Sequence, residues 1–328
     1  MLLAQGSHDE TDKLTVTGDT GSITQLAQDA VNQFNAQQTA PVNANITYDE
    51  SQKAFVVTPE KEGTQLKVDA VTEAVGYAIA NLQPTLVLDE SYILRPSVYS
   101  DDSRIDPAIE VANKMLTTNL TLTVGGTPVA TVDRSLIQPM ICIDADANAI
   151  VNEDKFVTWA YAALAGADTV ASERTFTRPD GKVITVSGGS FGWMTSARDL
   201  CGEVTKAARD GKTGTLEVPC KQKGDVFTGA GQRDWKTRYV DVDITEQHVR
   251  FYDSNESIIW ESDCITGIPD GEHDTVPGVW FVNNKLRNNK LIGIKDGEWL
   301  YETEVAYWMP FEEDSIGFHD ATWQPRFG

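Results

Sequence analysis

The apolar residues near the start of the chain recur at the spacing of an amphipathic helix. The run begins with Ser22-Ile-Thr-Gln25, which has the Ser-x-x-Gln form of a capping box. Its apolar positions are Ile23, Leu26, Ala27, Ala30, Val31 and Phe34. Three- and four-residue spacing behind a capping residue predicts a helix that starts just after Ser22.

A strand and two further helices are predicted before residue 126. "AFVVTPEKEGTQL" has strand character up to a turn at Gly63 and leads into a second helix. That helix carries Val71, Val75, Ala78 and Leu82. Asp106 and Pro107 suit the cap and the first turn of a third helix.

A strand, a glycine turn and a helix occur again later in the chain. "GKVITVSGGSFGW" is followed by a helix that Ser196 caps and Gly211 ends. The repeated order predicts an α+β region made of two related halves, residues 22–126 and 127–222.

The pattern changes to strict alternation from Trp235 onward. "RYVDVDITEQHVRFYDSNESIIW" alternates apolar and polar residues between polar turns, and "GVWFV", "KLIGI", "EVAYWM" and "IGFH" continue as short strands. Residues 223–328 are therefore predicted to be an all-β domain of sandwich or barrel-like form. "KQKGDVFTGAGQRD" is the predicted linker before it.

Length and charge narrow the class of protein. A chain of 328 residues is long enough for two or three domains. Its net charge of -22 repels phosphate backbones and anionic lipid surfaces, which argues against nucleic acid as a partner. No apolar run reaches the roughly 20 residues needed to cross a bilayer. Residues 1–21, with Gly6-Ser7-His8, resemble a cloning-derived leader and linker, and no element is predicted for them.

The four cysteines, Cys142, Cys201, Cys220 and Cys264, lack the spacing of a metal site. Cys201 with Cys220 is the disulfide to test first, and four buried thiols are the alternative. Cys264, in a strand-like run, could be a nucleophile but is better explained as a small buried apolar residue. We expect no cofactor and no bound metal.

Two glycine- or acid-rich runs look like ligand sites but depart from the motifs. Asp144, Asp146 and Asn148 match the start of a calcium loop, yet Ala149 and Lys155 replace its glycine and its glutamate, which favours an acidic helix start. The run 188–192 is rich in glycine but lacks the Lys-Ser/Thr of a phosphate loop, which favours a structural turn.

Among the histidines, His319 stands at the end of an apolar strand. Trp308, Phe311 and Trp323 flank it, an environment that can hold a neutral imidazole as a base. A structural role is equally compatible with the residues alone. His248 and His273 are expected to be solvated side chains.

The β region as a whole resembles the YkuD-type catalytic domain of the L,D-transpeptidases. The resemblance lies in four segments that occur in order: "RYVDVDITEQHVRFY", "CITGIPDGEHDTVPGVW", "YWMPF" and "IGFHDATW". Upstream, "GGSFGWMTSARDLCGEVTKAARDG" resembles the closing part of the peptidoglycan-binding domain that precedes many of these catalytic domains, and "TPEKEGTQLKVDAVTEAVGYAI" resembles another copy of its pattern. The family's Ser-His-Gly-Cys motif, expected after His319, does not occur, so the catalytic domain is expected to be C-terminally incomplete.

The resemblance implies an acyl transfer on bacterial cell-wall peptides. A cysteine thiolate would attack the carbonyl before the terminal D-alanine of a tetrapeptide stem and form 3-3 cross-links, with His319 as its base. Asp320 would steady the imidazole, and Trp323 and Tyr307 would contact substrate. Without the nucleophile, residues 1–328 alone are expected to be inactive.

The resemblance also implies partners and a location. We expect peptidoglycan stem peptides and glycan as substrates, carbapenem-type inhibitors, and an extracytoplasmic position in the bacterial envelope. Contact with a membrane would require an anchor that the sequence lacks. The alternative is a non-catalytic wall-binding or spacer protein.

Overall fold

The computed structural model describes residues 5–8, 14–17, 20–295, 298–313 and 315–327. Two compact units are present, residues 1–113 with 143–149 and residues 114–142 with 150–328. These units divide the chain differently from the modules predicted by sequence. A relationship between two halves remains a prediction.

The first unit combines helices with two-stranded antiparallel sheets. Its elements are β1 (Gln5–His8), β2 (Leu14–Thr17), α1 (Thr20–Asn35), β3 (Asn45–Asp49), β4 (Ala54–Thr58), α2 (Val68–Ala80) and most of α3 (Ile105–Met115). β1 pairs with β2, and β3 pairs with β4. β1 and β2 lie inside residues 1–21, for which no element was predicted.

The three predicted helices exist, with shifted ends. α1 begins at Thr20, so Ser22 lies in its first turn and is not its cap. α3 begins at Ile105, one residue before the predicted cap Asp106. Leu82 lies beyond α2 and has a φ of +54°, because Asn81 ends that helix. Capping motifs locate a helix end only to within about one turn.

The second unit begins with a mixed α and β part. Its elements are β5 (Asn119–Val124), β6 (Thr127–Val132), α4 (Arg134–Ile137), β7 (Ile141–Ile143), β8 (Ala149–Val151), α5 (Glu153–Leu164), β9 (Arg174–Thr177), β10 (Val183–Val186), β11 (Met194–Thr195), α6 (Ala197–Arg209), β12 (Thr213–Glu217) and β13 (Cys220–Gln222). Ser196 caps α6 as predicted, since its hydroxyl accepts from the Asp199 amide.

One sheet of this part crosses the predicted boundary at residue 126. β12 pairs with β5 in parallel and β6 pairs with β5 in antiparallel. Gly125 and Gly126 form the turn between β5 and β6, both at positive φ. Residue 126 therefore lies in a hairpin turn of one sheet.

The predicted all-β region forms two antiparallel sheets of three strands. The strands are β14 (Val240–Asp243), β15 (His248–Tyr252), β16 (Ile258–Asp263), β17 (Leu286–Lys295), β18 (Glu298–Glu312) and β19 (Ile316–His319). Their orders are β14-β15-β16 and β17-β18-β19. The β character predicted from alternation is confirmed. Closure into a sandwich or barrel stays a prediction.

Two local predictions failed. Residues 278–282, "GVWFV", do not form a strand, because part of their backbone pairs with an upstream loop described below. The predicted linker is packed, since Phe227 and Asp234 are 5% and 1% exposed. Asp234 is held there by an ion pair with the buried Arg174, at 3.1 Å.

None of the helices in the described part of the chain is long and apolar enough to cross a membrane.

Candidate active site

His319 ends β19, and its ring contacts the rings of two tryptophans. It is paired across the sheet with Trp308 of β18, whose side chain is buried and whose ring centroid lies 5.9 Å away. The Trp323 ring stacks on that of His319, with centroids 5.8 Å apart and planes at 21°. His319 itself is exposed, so one edge of a laterally confined imidazole faces solvent.

The next residue fixes the tautomer of His319. Its Nδ1 lies 3.0 Å from the backbone carbonyl oxygen of Asp320. A carbonyl oxygen can only accept, so Nδ1 carries the proton and donates. The Nε2 atom of the neutral ring is then free of a proton and can act as a base.

The side chain of Asp320 anchors this turn to β18. Its carboxylate accepts hydrogen bonds from the backbone amides of Tyr307, at 2.8 Å, and Ala306, at 3.2 Å. These bonds, that from Tyr307 foremost, lower the pKa of Asp320. The carboxylate is thereby kept ionised, and the carbonyl that orients His319 is held in place.

Tyr307 contributes to this arrangement through its backbone. Successive side chains of a strand point to opposite faces, so Tyr307 is directed away from the face of Trp308 and His319. The Arg287 guanidinium lies 5.6 Å from the centre of the Tyr307 ring. Trp323 is 47% exposed and forms an open wall beside the imidazole.

Three of the cysteines are unsuited to nucleophilic attack. Burial raises the pKa of the Cys201, Cys220 and Cys264 thiols, which keeps them protonated at neutral pH. They are free thiols, so the disulfide proposed between Cys201 and Cys220 is not formed.

Two further histidines, His248 and His273, contact carboxylates. His248 lies between Asp263, at 3.0 Å, and Glu261, at 3.2 Å, and is not simply solvated as predicted. These contacts, that with Asp263 foremost, raise its pKa. Nδ1 of His273 lies 2.8 Å from Asp270 in an exposed loop.

The acidic run at Asp144 forms the turn between β7 and β8. The carboxylate of Asp144 accepts from the amides of Asp146 and Asn148, at 2.9 and 2.8 Å. The acidic helix start predicted for the run 144–155 lies at its end, where α5 begins at Glu153 with Asn152 as its cap and with Glu153 and Asp154 in its first turn. Within the described residues, no group of three or more His, Cys, Asp or Glu side chains could hold a metal ion.

Sequence reasoning identified His319 and its two tryptophans but missed how Asp320 is held. The two amides that bind its carboxylate belong to β18 and carry no sequence signal of their own. Only the register of β18 with β19 brings them together.

Comparisons with known proteins indicate the family of the last part of the chain. Residues 237–328 match the family profile YkuD, L,D-transpeptidase catalytic domain. Among curated proteins there is no significant match.

Three solved structures illustrate the likeness. The structure of the Ldtfm-avibactam carbamoyl enzyme is 23% identical, with a TM-score of 0.55 over 68% of this chain and 84% of that one. A cysteine-to-serine mutant of the Enterococcus faecium L,D-transpeptidase is 24% identical, with a TM-score of 0.54 over 67% and 84%. The E. faecium catalytic domain acylated by ertapenem is 35% identical over 28% and 70%, with a TM-score of 0.25. The first two share the fold of this chain.

Proposed function

Residues 237–328 form a YkuD-type L,D-transpeptidase catalytic domain, and from this premise we propose that the protein forms 3-3 cross-links in peptidoglycan. The reaction is a cysteine acyl transfer. A thiolate attacks the carbonyl that precedes the terminal D-alanine of a tetrapeptide stem, a thioester forms, and D-alanine leaves. The amine of a second stem then attacks the thioester and releases the thiolate.

The observation that carries the proposal is the hydrogen bond between Nδ1 of His319 and the Asp320 carbonyl. It leaves Nε2 as the basic atom of the neutral ring, in a residue that is exposed. Nε2 accepts the proton of the thiol and returns it to the departing amine of D-alanine. The acceptor amine later loses its proton to the same atom.

The proposed reaction also requires a nucleophilic cysteine. The 328 residues contain no Ser-His-Gly-Cys motif, and three thiols within them have a raised pKa. Once Nε2 of His319 has taken the proton of the thiol, the resulting imidazolium stabilises the neighbouring thiolate.

Residues around His319 are suited to hold the stem peptide. The exposed Trp323 ring offers an apolar wall for the stem peptide, and Asp320 positions the base. Tyr307 contributes its backbone amide. A structural neighbour is an avibactam carbamoyl enzyme, which supports β-lactam-type and related acylating inhibitors for this protein too. The substrate places the protein outside the cytoplasm.

The test is a transpeptidation assay on the product of the complete gene. Purified disaccharide-tetrapeptide should yield a cross-linked dimer and one D-alanine for each dimer, by mass spectrometry. A pentapeptide stem serves as the control donor and should yield no dimer, since its third-residue carbonyl is not followed by a terminal D-alanine. Binding to sacculi without dimer formation would contradict the proposal and favour a wall-binding protein.

A further inference from the structure

A loop outside the family match packs against the catalytic domain. Residues 188–191, here called the glycine segment, lie upstream of residue 237. They face residues 277–281, here called the proline segment. The Phe191 amide donates to the Val279 carbonyl at 2.9 Å, and the Val279 amide donates to the Gly188 carbonyl at 3.2 Å. The two segments are therefore joined by paired backbone hydrogen bonds.

The contact is too close for side chains at its glycines. Gly189 has a φ of +86°, and a Cβ there would overlap the backbone of Val279. A Cβ at Gly278 would lie 2.6 Å from the Gly189 nitrogen, and one at Gly188 would lie 3.0 Å from the Pro277 oxygen. The glycines predicted to form only a turn thus permit a specific backbone approach.

Phe191 adds an apolar anchor to the same contact. Its side chain is 8% exposed and belongs to a buried cluster with Phe176 and Trp235, against which Val279 packs. Its ring centroid lies 4.7 Å from that of Phe281. The cluster thus joins the proline segment to β9 and to residues just before the matched domain.

The proline segment leads on to the strand that carries His319. The ring of Trp280 lies 6.1 Å from that of Phe311, which lies 5.3 Å from that of Phe318. Just after the segment, the Asn283 amide donates to the Pro310 carbonyl at 2.8 Å. Pro310 is paired with Gly317 of β19. Aromatic and backbone contacts thus connect the glycine segment to the residues next to His319.

The β9–β10 hairpin, which precedes the glycine segment, is held in place by charged side chains. Arg178, in the turn between β9 and β10, has a side chain that is 2% exposed. It contacts the carboxylates of Asp241 and Asp243 of β14, each at 3.2 Å, and that of Asp180 at 2.6 Å. Glu246 lies 3.7 Å away. The hairpin is therefore held to the first sheet of the catalytic domain by buried charge.

We propose that the glycine segment is a positioning element of the active site, which holds the proline segment and through it the strand of His319. The functional unit then extends upstream of residue 237 to include the β9–β10 hairpin. The role of the glycine segment in positioning His319 does not depend on the proposed function. Only the acylation test below rests on that function.

The test compares two glycine substitutions with similar backbone strain. Gly189→Ala places a methyl group against Val279. Gly181→Ala, in the turn of the same hairpin, has a φ of +92° and no atom within 4 Å of the new Cβ. Both substitutions place alanine in a left-handed backbone conformation, which is energetically unfavourable. Only Gly189→Ala disturbs the contact with Val279. The readout is the ¹⁵N and ¹H spectrum of selectively labelled histidines, with His248 and His273 as internal references.

We expect Gly189→Ala to shift the His319 signals, while the signals of His248 and His273 stay in place. Gly181→Ala should leave all three unchanged. Unchanged His319 signals in a folded Gly189→Ala protein would overturn the inference. If Gly189→Ala does not fold, Phe191→Leu is measured instead, and the same shift of the His319 signals is expected. This variant keeps an apolar residue but removes the ring contact with Phe281.

A second readout separates this inference from the proposed function. In the product of the complete gene, Gly189→Ala should slow acylation by a carbapenem by about tenfold or more, since a displacement of about 1 Å can cost about 100-fold. Gly181→Ala should not slow it. If His319 shifts but no variant is ever acylated, the positioning role stands and the enzymatic proposal fails. If acylation proceeds equally in both variants, the positioning role fails.

Discussion

The backbone carbonyl of Asp320 accepts a hydrogen bond from Nδ1 of His319 at 3.0 Å, while the carboxylate of Asp320 is bound to two amides of β18. One residue therefore performs two tasks. Its side chain fixes the turn after β19, and its backbone selects the tautomer of the neighbouring imidazole. The chemistry proposed for His319 depends on both.

Removal of the Asp320 carboxylate should loosen this turn. Asp320→Ala leaves the Tyr307 and Ala306 amides without their acceptor, and we expect a loss of about 1–2 kcal/mol in the free energy of unfolding. The His319 ring should also lose its fixed tautomer. Urea unfolding and histidine ¹⁵N shifts measure the two effects. Glu304→Ala, at an exposed position of β18, is the control, and equal losses in both variants would contradict the assigned role.

Arg178 should be among the most sensitive charged positions. Arg178→Met leaves the carboxylates of Asp241 and Asp243, which are 14% and 10% exposed, without their shared cation. Breaking a buried pair in this way costs about 3–5 kcal/mol. Arg95→Met breaks a contact with the half-exposed Glu62 and should destabilise the protein much less, because solvent screens an exposed pair. Thermal and urea unfolding of the two variants compare them directly.

The same cluster predicts a dependence of stability on pH. Hydrogen bonds from Arg178 and the Lys182 amide lower the pKa of Asp180 from 3.8 to about 2. A lowered carboxyl pKa adds stability that is present above pH 3.8 and is lost as the pH falls towards 2. Wild type should therefore exceed Asp180→Asn in unfolding free energy at pH 5, and the difference should shrink towards pH 2. A difference that is constant over this range would contradict the assignment.

A neighbouring group must be separated from this effect. Burial raises the pKa of Asp241, against the opposing influence of Arg178, so its protonation on acidification favours the folded state. The comparison of wild type with Asp180→Asn cancels this contribution, because Asp241 is present in both proteins.

His248 should titrate above the ordinary histidine pKa of 6.5. Asp263 and Glu261 favour its charged form, so the raised pKa adds stability that is fully present below pH 6.5 and is lost as the pH rises through the folded-state value. Asp263→Asn should lower the midpoint of His248 in an NMR titration. A midpoint that does not move would mean that the 3.0 Å contact is not maintained in solution.

Sequence patterns predicted elements whose apolar period is local. The alternation in β14, β15 and β16 and the periodicity of α6 each involve residues close along the chain, which a pattern can detect. The apolar run at 278–282 was misread as a strand, because the hydrogen-bond partners of Val279 lie in the glycine segment, far upstream. Long-range partners of this kind leave no period in the sequence.

Some features of the candidate site could likewise be predicted from the sequence, and others could not. His319 and the aromatic residues around it could be found from their position at the end of an apolar strand and from family resemblance. The burial of Arg178 and the packing of the predicted linker could not, because charged and glycine-rich runs are usually exposed. Tertiary ion pairs, here with Asp241 and between Arg174 and Asp234, reverse that preference.

The rate of acylation by a carbapenem, followed by intact mass on the complete gene product and its His319→Gln variant, tests the central claim most directly. We predict a single covalent adduct on the wild-type protein and a rate at least about 100-fold lower for His319→Gln, the range expected for loss of a general base. His248→Gln should react at the wild-type rate. An unmodified wild-type mass, or equal rates for wild type and His319→Gln, would contradict the role of His319 as the base of an L,D-transpeptidase.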